Sequence, residues 1–418
     1  MIKKLFSCFS VILITSLMGC SLPATTLSAE QAATQSITSV IETTKNPNPT
    51  ETIPTATLMP QSTGSVNTPA LINPLTGLPV QDFSLLSLPP VLVSISNFPP
   101  TARPQAGLTY SPIVFEVFIG DGMTRDLAVF YGDYPAKAVP AQSPESQNGD
   151  LSEASIGPIR SGRVSYEKIR QIFNGLLVMA SAYKTVAQSL SNYSNIFGSD
   201  ESDLNSAMMK VTQLQAIAQN GQKVVDSAEL SGMEFDSQPP VGAKPGQSLW
   251  LFYSNLNQIF WRFNQTDGTY HRFQDNADGA TFIEATDRLN DKPLAYSNVV
   301  VLFVKHIVIK KYMIDLDLLY QKRNQALIFR DGKMYNVYWT TKSGEYEQST
   351  GKLRPIRFID AQGNPFLLKP GQTWIETVPL YTAYWETVNS EAYNQLMSGR
   401  EPGSGYWAVR FKDPTIGY

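Results

Sequence analysis

Short apolar runs recur along the chain after residue 70, and clusters of turn-forming residues separate them. Up to about residue 235 these runs alternate with segments of helical spacing. Residues 113–119 have the composition of a strand, whereas residues 163–173 place apolar side chains three and four positions apart, as an amphipathic helix does. Strands that alternate with helices are typical of layered α/β folds. The sequence therefore predicts an N-terminal α/β layered domain over residues 71–235.

The pattern changes after the Pro- and Gly-rich residues 236–246. Aromatic and aliphatic residues then alternate with polar ones, and the pair Asp331-Gly332 between two such runs is a strong signal for a β-hairpin. The long apolar run 298–309 predicts a single central strand. We expect a mostly antiparallel, β-rich (α+β) C-terminal domain over residues 236–380, followed by an extension over residues 381–418.

The start of the chain has the pattern of an export signal. Two lysines precede an apolar stretch over residues 5–17, which is short for a membrane span. The following Leu17-Met18-Gly19-Cys20 is similar to the bacterial lipobox, in which cleavage before a cysteine frees it for lipidation. We expect a lipoprotein signal peptide over residues 1–19 and an extracytoplasmic protein that lipidated Cys20 holds on the cell membrane. An ordinary cleaved signal and a short membrane anchor are the alternatives.

The segment after the predicted signal has a different composition. Residues 20–70 are rich in Thr, Ser and Pro and contain no aromatic residue. Such a segment cannot bury enough apolar surface to fold by itself. The composition therefore predicts a disordered tether that lets the folded part of the protein stand clear of the membrane surface.

Charge and residue counts exclude several functions. The net charge is −3, so no overall basic field recruits nucleic acid. Both cysteines lie within the first 20 residues, and the two histidines, His271 and His306, are too far apart for a metal motif. Asp121 and Asp126 are interpreted as turn residues and not as a metal site. The sequence predicts no metal, no cofactor and no catalytic residue.

Four motifs carry a resemblance to a known family. They are, in chain order, Asn73-Pro74-Leu75-Thr76-Gly77, residues 102–108, Gly122-Met123-Thr124-Arg125 and residues 157–163. Their order and spacing resemble those of the YerB-like bacterial lipoproteins, the family with domain of unknown function 3048, which has paired N- and C-terminal domains. The resemblance covers residues 71–380, and it implies an envelope lipoprotein without an established activity.

The chain departs from this family after the strand-like residues 176–180. The family has a His- and Gly-rich turn there and a Pro-His-Asn element in a later block. This chain has Ser181-Ala182-Tyr183 at the first place and the polar, helix-like residues 212–219 at the second. If those histidines support an activity in the family, the departure implies that this member has lost or altered it.

Polar residues on and near the predicted strands form the candidate site, which consists of Arg103, Glu116, Arg125, Arg160, Ser161 and Arg163. Such residues can meet at one edge of a sheet, where arginines suit a carboxylate or a phosphate. We expect an anion-binding pocket for an envelope component, such as a peptidoglycan carboxylate or a lipid-linked phosphate. The alternatives are an internal network, in which Glu116 pairs with arginines and fixes loops, and catalysis.

Aromatic residues of the second domain offer a further candidate surface. A platform that stacks on sugar rings could be built from Trp261, Tyr270, Tyr335, Tyr338, Trp339 and Trp374, and packing in the core is the alternative. Together these features predict a membrane-anchored extracytoplasmic lipoprotein that binds or scaffolds cell-envelope components. We expect peptidoglycan, a glycan or an envelope protein as its partner, and no nucleic acid. The alternative function is an enzyme that acts on a phosphate- or carboxylate-bearing cell-wall polymer.

Overall fold

The computed structural model describes residues 71–134, 154–200, 202–223, 229–342 and 344–416. The predicted signal peptide over residues 1–19, the lipidated Cys20 and the tether over residues 20–70 lie outside the described residues. Within the described ranges, no helix is both long enough and apolar enough to cross a membrane.

The elements up to residue 221 include seven strands among the described residues. These are β1 (Val91–Ser96), β2 (Ile113–Gly120), β3 (Met123–Phe130), β4 (Ser155–Ile156), β5 (Leu176–Met179), β6 (Tyr193–Asn195) and β7 (Met209–Lys210). The helices are α1 (Val164–Phe173), α2 (Lys184–Ala187) and α3 (Val211–Gly221), with short 3-10 turns at Phe83–Ser87, Pro100–Ala102 and Leu108–Tyr110. The strand-like residues 113–119 and the helix-like residues 163–173 thus form β2 and α1, as predicted.

The later elements are almost all strands. They are β8 (Lys244–Pro245), β9 (Ser248–Ser254), β10 (Asn257–Asn264), β11 (Thr269–Asp275), β12 (Phe282–Glu284), β13 (Ala295–Tyr296), β14 (Asn298–Val304), β15 (His306–Lys310), β16 (Met313–Leu316), β17 (Asn324–Arg330), β18 (Lys333–Thr340), β19 (Arg357–Ile359), β20 (Thr373–Pro379), β21 (Ala383–Thr387) and β22 (Tyr406–Arg410). Two short helices, α4 (Glu345–Thr350) and α5 (Tyr393–Ser398), accompany them. The fold is β-rich, as predicted for the second part of the chain.

Strands from both halves of the chain share one large sheet. In the described part of the chain this sheet has 11 strands in the order β19-β18-β17-β14-β20-β2-β3-β1-β5-β6, with β8 paired to β18. The junction is β20, which lies parallel to both β14 and β2. The described residues between 71 and 416 belong to one compact unit. The large sheet therefore contains strands from both predicted domains, over residues 71–235 and 236–380. The division into these two domains stays a prediction.

A second sheet packs on one face of the large one. Its seven strands within the described ranges run in the order β12-β11-β10-β9-β22-β21, with β13 paired to β11. The predicted extension over residues 381–418 supplies β21 and β22, and β22 lies parallel to β9 inside this sheet. Apolar side chains of the two sheets meet in a common core, where the rings of Trp261 and Trp374 are 5.4 Å apart. The extension is therefore part of the β-rich fold.

The large sheet is covered on its other face by α1 and neighbouring loops. Phe173 of α1 contacts Phe115 of β2 edge to face, with ring centroids 6.0 Å apart. Every residue of β2, β14 and β20 is buried, because both faces of the sheet are covered. This double coverage explains the near-continuous apolar runs of these strands.

The prediction of a single central strand over residues 298–309 is wrong. The chain forms β14, which lies between β17 and β20, and after Lys305 it leaves that sheet. Residues 306–310 then form β15, which pairs with β16 in a separate two-stranded sheet and is largely exposed. Apolar composition continues across the break, so composition alone could not locate it.

The predicted hairpin at Asp331-Gly332 is confirmed. Arg330 of β17 lies opposite Lys333 of β18, which leaves a two-residue turn. Asp331 and Gly332 have φ angles of 53° and 67°, and positive φ at both central residues is the geometry that this turn type requires.

The aromatic residues proposed as a sugar-stacking platform belong mainly to the core. Five of the six are buried, namely Trp261, Tyr270, Tyr335, Trp339 and Trp374. Tyr338 is half-buried, and the guanidinium of Arg323 covers its ring at 3.7 Å. The alternative of core packing is therefore correct for the five buried residues, because a buried ring face is not open to a glycan.

Candidate functional site

The sequence motifs with arginines meet around the end of β1. Arg125 of β3 lies opposite Ser96, the last residue of β1. The Nε of Arg160 donates to the hydroxyl of Ser96 at 3.1 Å, and the Nε of Arg103 donates to the carbonyl of Asn97 at 3.0 Å. Arg103, Arg125 and Arg160 therefore lie near the end of β1, and different groups hold each of them.

Arg160 is used to fix a loop. Besides Ser96, its guanidinium donates to the carbonyl of Leu204 and to Oδ1 of Asn205, the latter at 3.1 Å. Burial lowers the pKa of Arg160, although Asp203 opposes this effect. The side chain thus ties residues 204 and 205 to the end of β1.

Arg125, Ser161 and Arg163 form a neighbouring group. Nη1 of the buried Arg125 donates to the carbonyl of Ser161 at 2.7 Å, so Ser161 contributes its backbone to this contact. Burial lowers the pKa of Arg125 to about 10, and Tyr166 stabilises the charged form. Arg163 is the residue directly before α1; its side chain makes no capping hydrogen bond, and its buried Nε has no hydrogen-bond partner. The Arg125 side chain thus connects the segment before α1 to β3 of the large sheet.

Glu116 forms the predicted pair with an arginine, but the partner is Arg272 of the second sheet. Oε2 of Glu116 accepts from Nη2 of Arg272 at 2.9 Å, and both side chains are 0% exposed. Oε1 accepts from Asn97 at 3.0 Å and from Thr124 at 2.5 Å. The internal Arg–Glu network is therefore present between the two sheets.

Three carboxyl groups lie side by side in the large sheet. Glu116 of β2 is directly opposite Asp126 of β3 on one side and Glu376 of β20 on the other. Directly opposed residues of neighbouring strands place their side chains on the same face. All three are fully buried, and we call them the acid ladder. The interpretation of Asp126 as a turn residue is wrong, since it lies inside β3.

The acid ladder contains three carboxyl groups, and one arginine, Arg272, faces all three. Burial raises the pKa of Glu376 and of Asp126 well above their usual values, and the charge on Glu116 raises both further. Burial disfavours the charged form of Arg272, but the three carboxyl groups together raise its pKa. One guanidinium therefore faces one carboxylate and two carboxyl groups that favour their protonated forms.

The second sheet supplies hydrogen bonds to the acid ladder. Glu376 accepts from the hydroxyl of Tyr253 at 2.8 Å and from the indole N–H of Trp261 at 3.0 Å. The ring of Trp374 lies 4.9 Å from the guanidinium of Arg272. Within the described ranges, no group of three or more His, Cys, Asp and Glu side chains is arranged to hold a metal ion. The acid ladder is a hydrogen-bonded charge cluster.

A cleft of about 230 Å³ opens beside this cluster. Its walls are the loop over residues 100–105, the end of β11 and residues 283–286. Nη1 of Arg103 donates to the carbonyl of Asp275 at 2.7 Å, whereas its buried Nη2 has no hydrogen-bond partner. Burial, together with the nearby charge of Arg272, lowers the pKa of Arg103 to about 10. Of the six predicted site residues, Arg103 is the one that lines this cleft.

Two carboxyl groups that the sequence did not predict line the cleft, namely Glu284, which contacts the His271 ring, and Asp275. Its Oδ1 accepts from the backbone N–H of Ala277 at 2.9 Å, and its Oδ2 has no hydrogen-bond partner. Burial raises the pKa of Asp275 to about 6. The available signal was its position at the end of an alternating strand, directly before a turn.

Two amide side chains connect the cleft with the acid ladder. Gln105 lines the cleft and donates to Oδ2 of Asp126 at 3.4 Å. Gln274 also lines the cleft, and it accepts from Nη1 of Arg272 at 2.5 Å. The cleft therefore lies one side chain away from the buried charges.

Comparisons with known proteins identify the family. The chain matches the N-terminal domain of the protein of unknown function DUF3048 over residues 75–221 and the C-terminal domain of the same family over residues 250–375. The chain belongs to this family, and the resemblance predicted from the four motifs is confirmed.

YerB of Bacillus subtilis strain 168, whose name describes it as a lipoprotein, is 26% identical over 324 residues. This match covers 73% of this chain and 86% of YerB. The crystal structure of YerB from Bacillus subtilis has a TM-score of 0.55 and 22% sequence identity, and the match covers 74% of this chain and 97% of that chain. The structural likeness shows a shared fold.

Matched substitutions in the acid ladder should have different effects. Glu116→Gln leaves Arg272 without its carboxylate and should lower the free energy of unfolding by about 3 kcal/mol or more. Glu376→Gln mimics the protonated group and should cost much less. The measurement is urea-induced unfolding of both variants and the wild type.

The free energy of unfolding of the wild type should depend on pH in a definite direction. Burial raises the pKa of Glu376, so its contribution to stability is fully present below the pKa of the unfolded chain and is lost as the pH rises through the folded value. Stability of Glu376→Gln should therefore fall less from pH 5 to pH 9 than that of the wild type. Parallel pH profiles would contradict the assignment of a protonated Glu376.

Proposed function

We propose that this protein is a lipid-anchored extracytoplasmic lipoprotein that binds a carboxylate-bearing component of the cell envelope in the cleft beside Arg103. One observation carries the binding proposal: Nη2 of Arg103 is buried in the wall of this cleft without a hydrogen-bond partner. A buried charged donor that lacks an acceptor is costly, and an anionic ligand would supply the acceptor.

The remaining contacts of Arg103 support this assignment. Its Nε and Nη1 donate to two backbone carbonyl groups, of Asn97 and Asp275, which fixes the plane of the guanidinium. A guanidinium held in one orientation loses little further freedom when it binds a carboxylate.

The other members of the predicted anion site have supporting roles in this proposal. Glu116 neutralises Arg272 behind the cleft, while Arg125, Arg160 and Ser161 connect loops. Arg163, with its free Nε, is a second candidate for contact with a large ligand. For residues 71–235 we retain the α/β layer arrangement as a proposal, supported by the packing of α1 on the large sheet.

The proposed location of the protein at the cell membrane is supported by the N-terminal motif and by the relative YerB. Leu17-Met18-Gly19-Cys20 fits the lipobox, and the name of YerB describes a lipoprotein. Lipidated Cys20 would hold the protein at the membrane, and the segment over residues 20–70 would let the cleft reach peptidoglycan, a glycan or an envelope protein.

An enzyme that acts on a cell-wall polymer remains the alternative. It is favoured by Asp275, a cleft carboxyl group whose pKa burial raises to about 6, where a side chain can serve as general acid or base. The same cleft would then convert its ligand. Incubation with wall fragments and analysis of the products by mass spectrometry distinguishes turnover from binding.

The anchor is tested by Cys20→Ser in a bacterial host. The wild type should sediment with membranes and incorporate a labelled fatty acid, because acyl chains on Cys20 supply the anchor. The variant should incorporate no label and should lose stable membrane association through that anchor. Equal labelling of the two proteins would exclude Cys20 as the lipidated residue.

The cleft is tested by comparing Arg103→Met with Arg160→Met. Calorimetric titration with soluble peptidoglycan fragments should show about tenfold or weaker affinity for Arg103→Met, because a hydrogen bond to a charged group is lost. Arg160→Met, which loosens the loop at residues 204 and 205, is the control and should bind nearly as the wild type does. Unchanged affinity of Arg103→Met would contradict the proposal.

A further inference from the structure

The cleft wall contains one hydrogen-bond acceptor and one hydrogen-bond donor that have no partner. Asp275 is 0% exposed, and its Oδ2 has no hydrogen-bond partner. Nη2 of Arg103 is likewise buried and without a partner. Both residues line the same cleft, and the 2.7 Å bond from Arg103 to the carbonyl of Asp275 holds them next to each other.

The backbone orients both side chains. The turn after β11 holds Oδ1 of Asp275 through the N–H of Ala277, and the other oxygen keeps no hydrogen-bond partner. Arg103 is held by two carbonyl groups and keeps one free nitrogen. A donor and an acceptor in fixed positions select a ligand that carries the complementary pair of groups.

The rest of the cleft wall limits the size and polarity of the ligand. Apolar contacts are available from Pro100, Pro104, Ile283 and Ala285. The volume of about 230 Å³ is below the roughly 300–1,000 Å³ of pockets for drug-sized ligands, so the cleft fits a small terminal group. A simple inorganic anion would leave these apolar contacts and Asp275 unused.

Resting on the proposed function, we infer that the cleft recognises the carboxyl-terminal end of a peptide or an acylated amino acid. The terminal carboxylate accepts from Nη2 of Arg103, and the adjacent amide N–H donates to Oδ2 of Asp275. The side chain or acyl group of the ligand lies against the two prolines. An amide N–H next to a carboxylate satisfies both buried atoms at once.

Charge around Asp275 predicts how binding depends on pH. The charged and titratable groups near it are Arg103, Arg272, Asp278 and Glu284. Burial raises the pKa of Asp275 to about 6, so above that pH its carboxylate repels the carboxylate of a ligand. A ligand that donates an N–H to Asp275 offsets this repulsion, whereas a ligand without a donor does not.

The test uses two matched probes on the full chain in detergent. N-acetylglycine carries a carboxylate and an adjacent amide N–H, and N-acetylsarcosine carries the same charge with a methyl group in place of that hydrogen. Calorimetric titration near pH 7.5 should show about tenfold tighter binding of N-acetylglycine than of N-acetylsarcosine. The reason is that only N-acetylglycine can donate a hydrogen bond to the charged acceptor, Asp275. Affinity for N-acetylsarcosine should weaken more as the pH rises from about 5 to about 8.

Asp275→Asn provides the matched variant. The N–H of Ala277 keeps the asparagine carbonyl at the position of Oδ1, so an NH₂ group replaces Oδ2 and the acceptor becomes a donor. The variant should bind the two probes equally while circular dichroism shows an unchanged fold. A preference for N-acetylglycine that persists in Asp275→Asn would mean that the methyl group only clashes, and it would overturn the inference.

Arg103→Met separates this inference from the proposed function. If the wild type binds both probes equally and Arg103→Met loses both, the inference about Asp275 is wrong and the carboxylate site at Arg103 stands. If Arg103→Met binds both probes as the wild type does, the proposed function is wrong as well. Absence of binding of either probe to the wild type would overturn both.

Discussion

The ion pair between Glu116 and Arg272 is the interaction on which the two sheets depend. The two charged atoms are 2.9 Å apart, and neither side chain is exposed to solvent. A single buried charge costs several kcal/mol of stability, so each partner requires the other to be in place. Glu116 comes from the N-terminal half of the chain and Arg272 from the C-terminal half. Correct packing of the two sheets is therefore linked to the pairing of these two residues.

The same requirement shapes the cleft. Glu116 carries the charge that balances Arg272, so Asp126 and Glu376 favour their protonated forms and join the network as hydrogen-bonding groups. The buried Gln105 and Gln274 connect this network to the cleft, where they form part of the wall. The buried ion pair and the side chains bonded to it back the cleft, while backbone groups hold Arg103 and Asp275 in place, as ligand recognition requires.

Local signals in the sequence predicted local structure. Asp331-Gly332 predicted a hairpin correctly, because the geometry of this turn depends on two adjacent residues. The pairing of Glu116 with Arg272 spans 156 positions, so no local pattern could identify the partner. The sequence does contain one signal for Arg272, because this residue takes a position on the buried face of an alternating strand, between Tyr270 and Gln274. The role of β20 in joining both halves had no comparable signal.

A double-mutant cycle on Glu116 and Arg272 tests this account most directly. The free energy of unfolding is measured for the wild type, Glu116→Gln, Arg272→Met and the double variant. Each single substitution leaves a buried group without its partner, whereas the double substitution removes both charges. We predict that the double variant is more stable than the sum of the single effects implies, by about 2 kcal/mol or more. Additive losses would contradict the claim that this pair connects the two sheets.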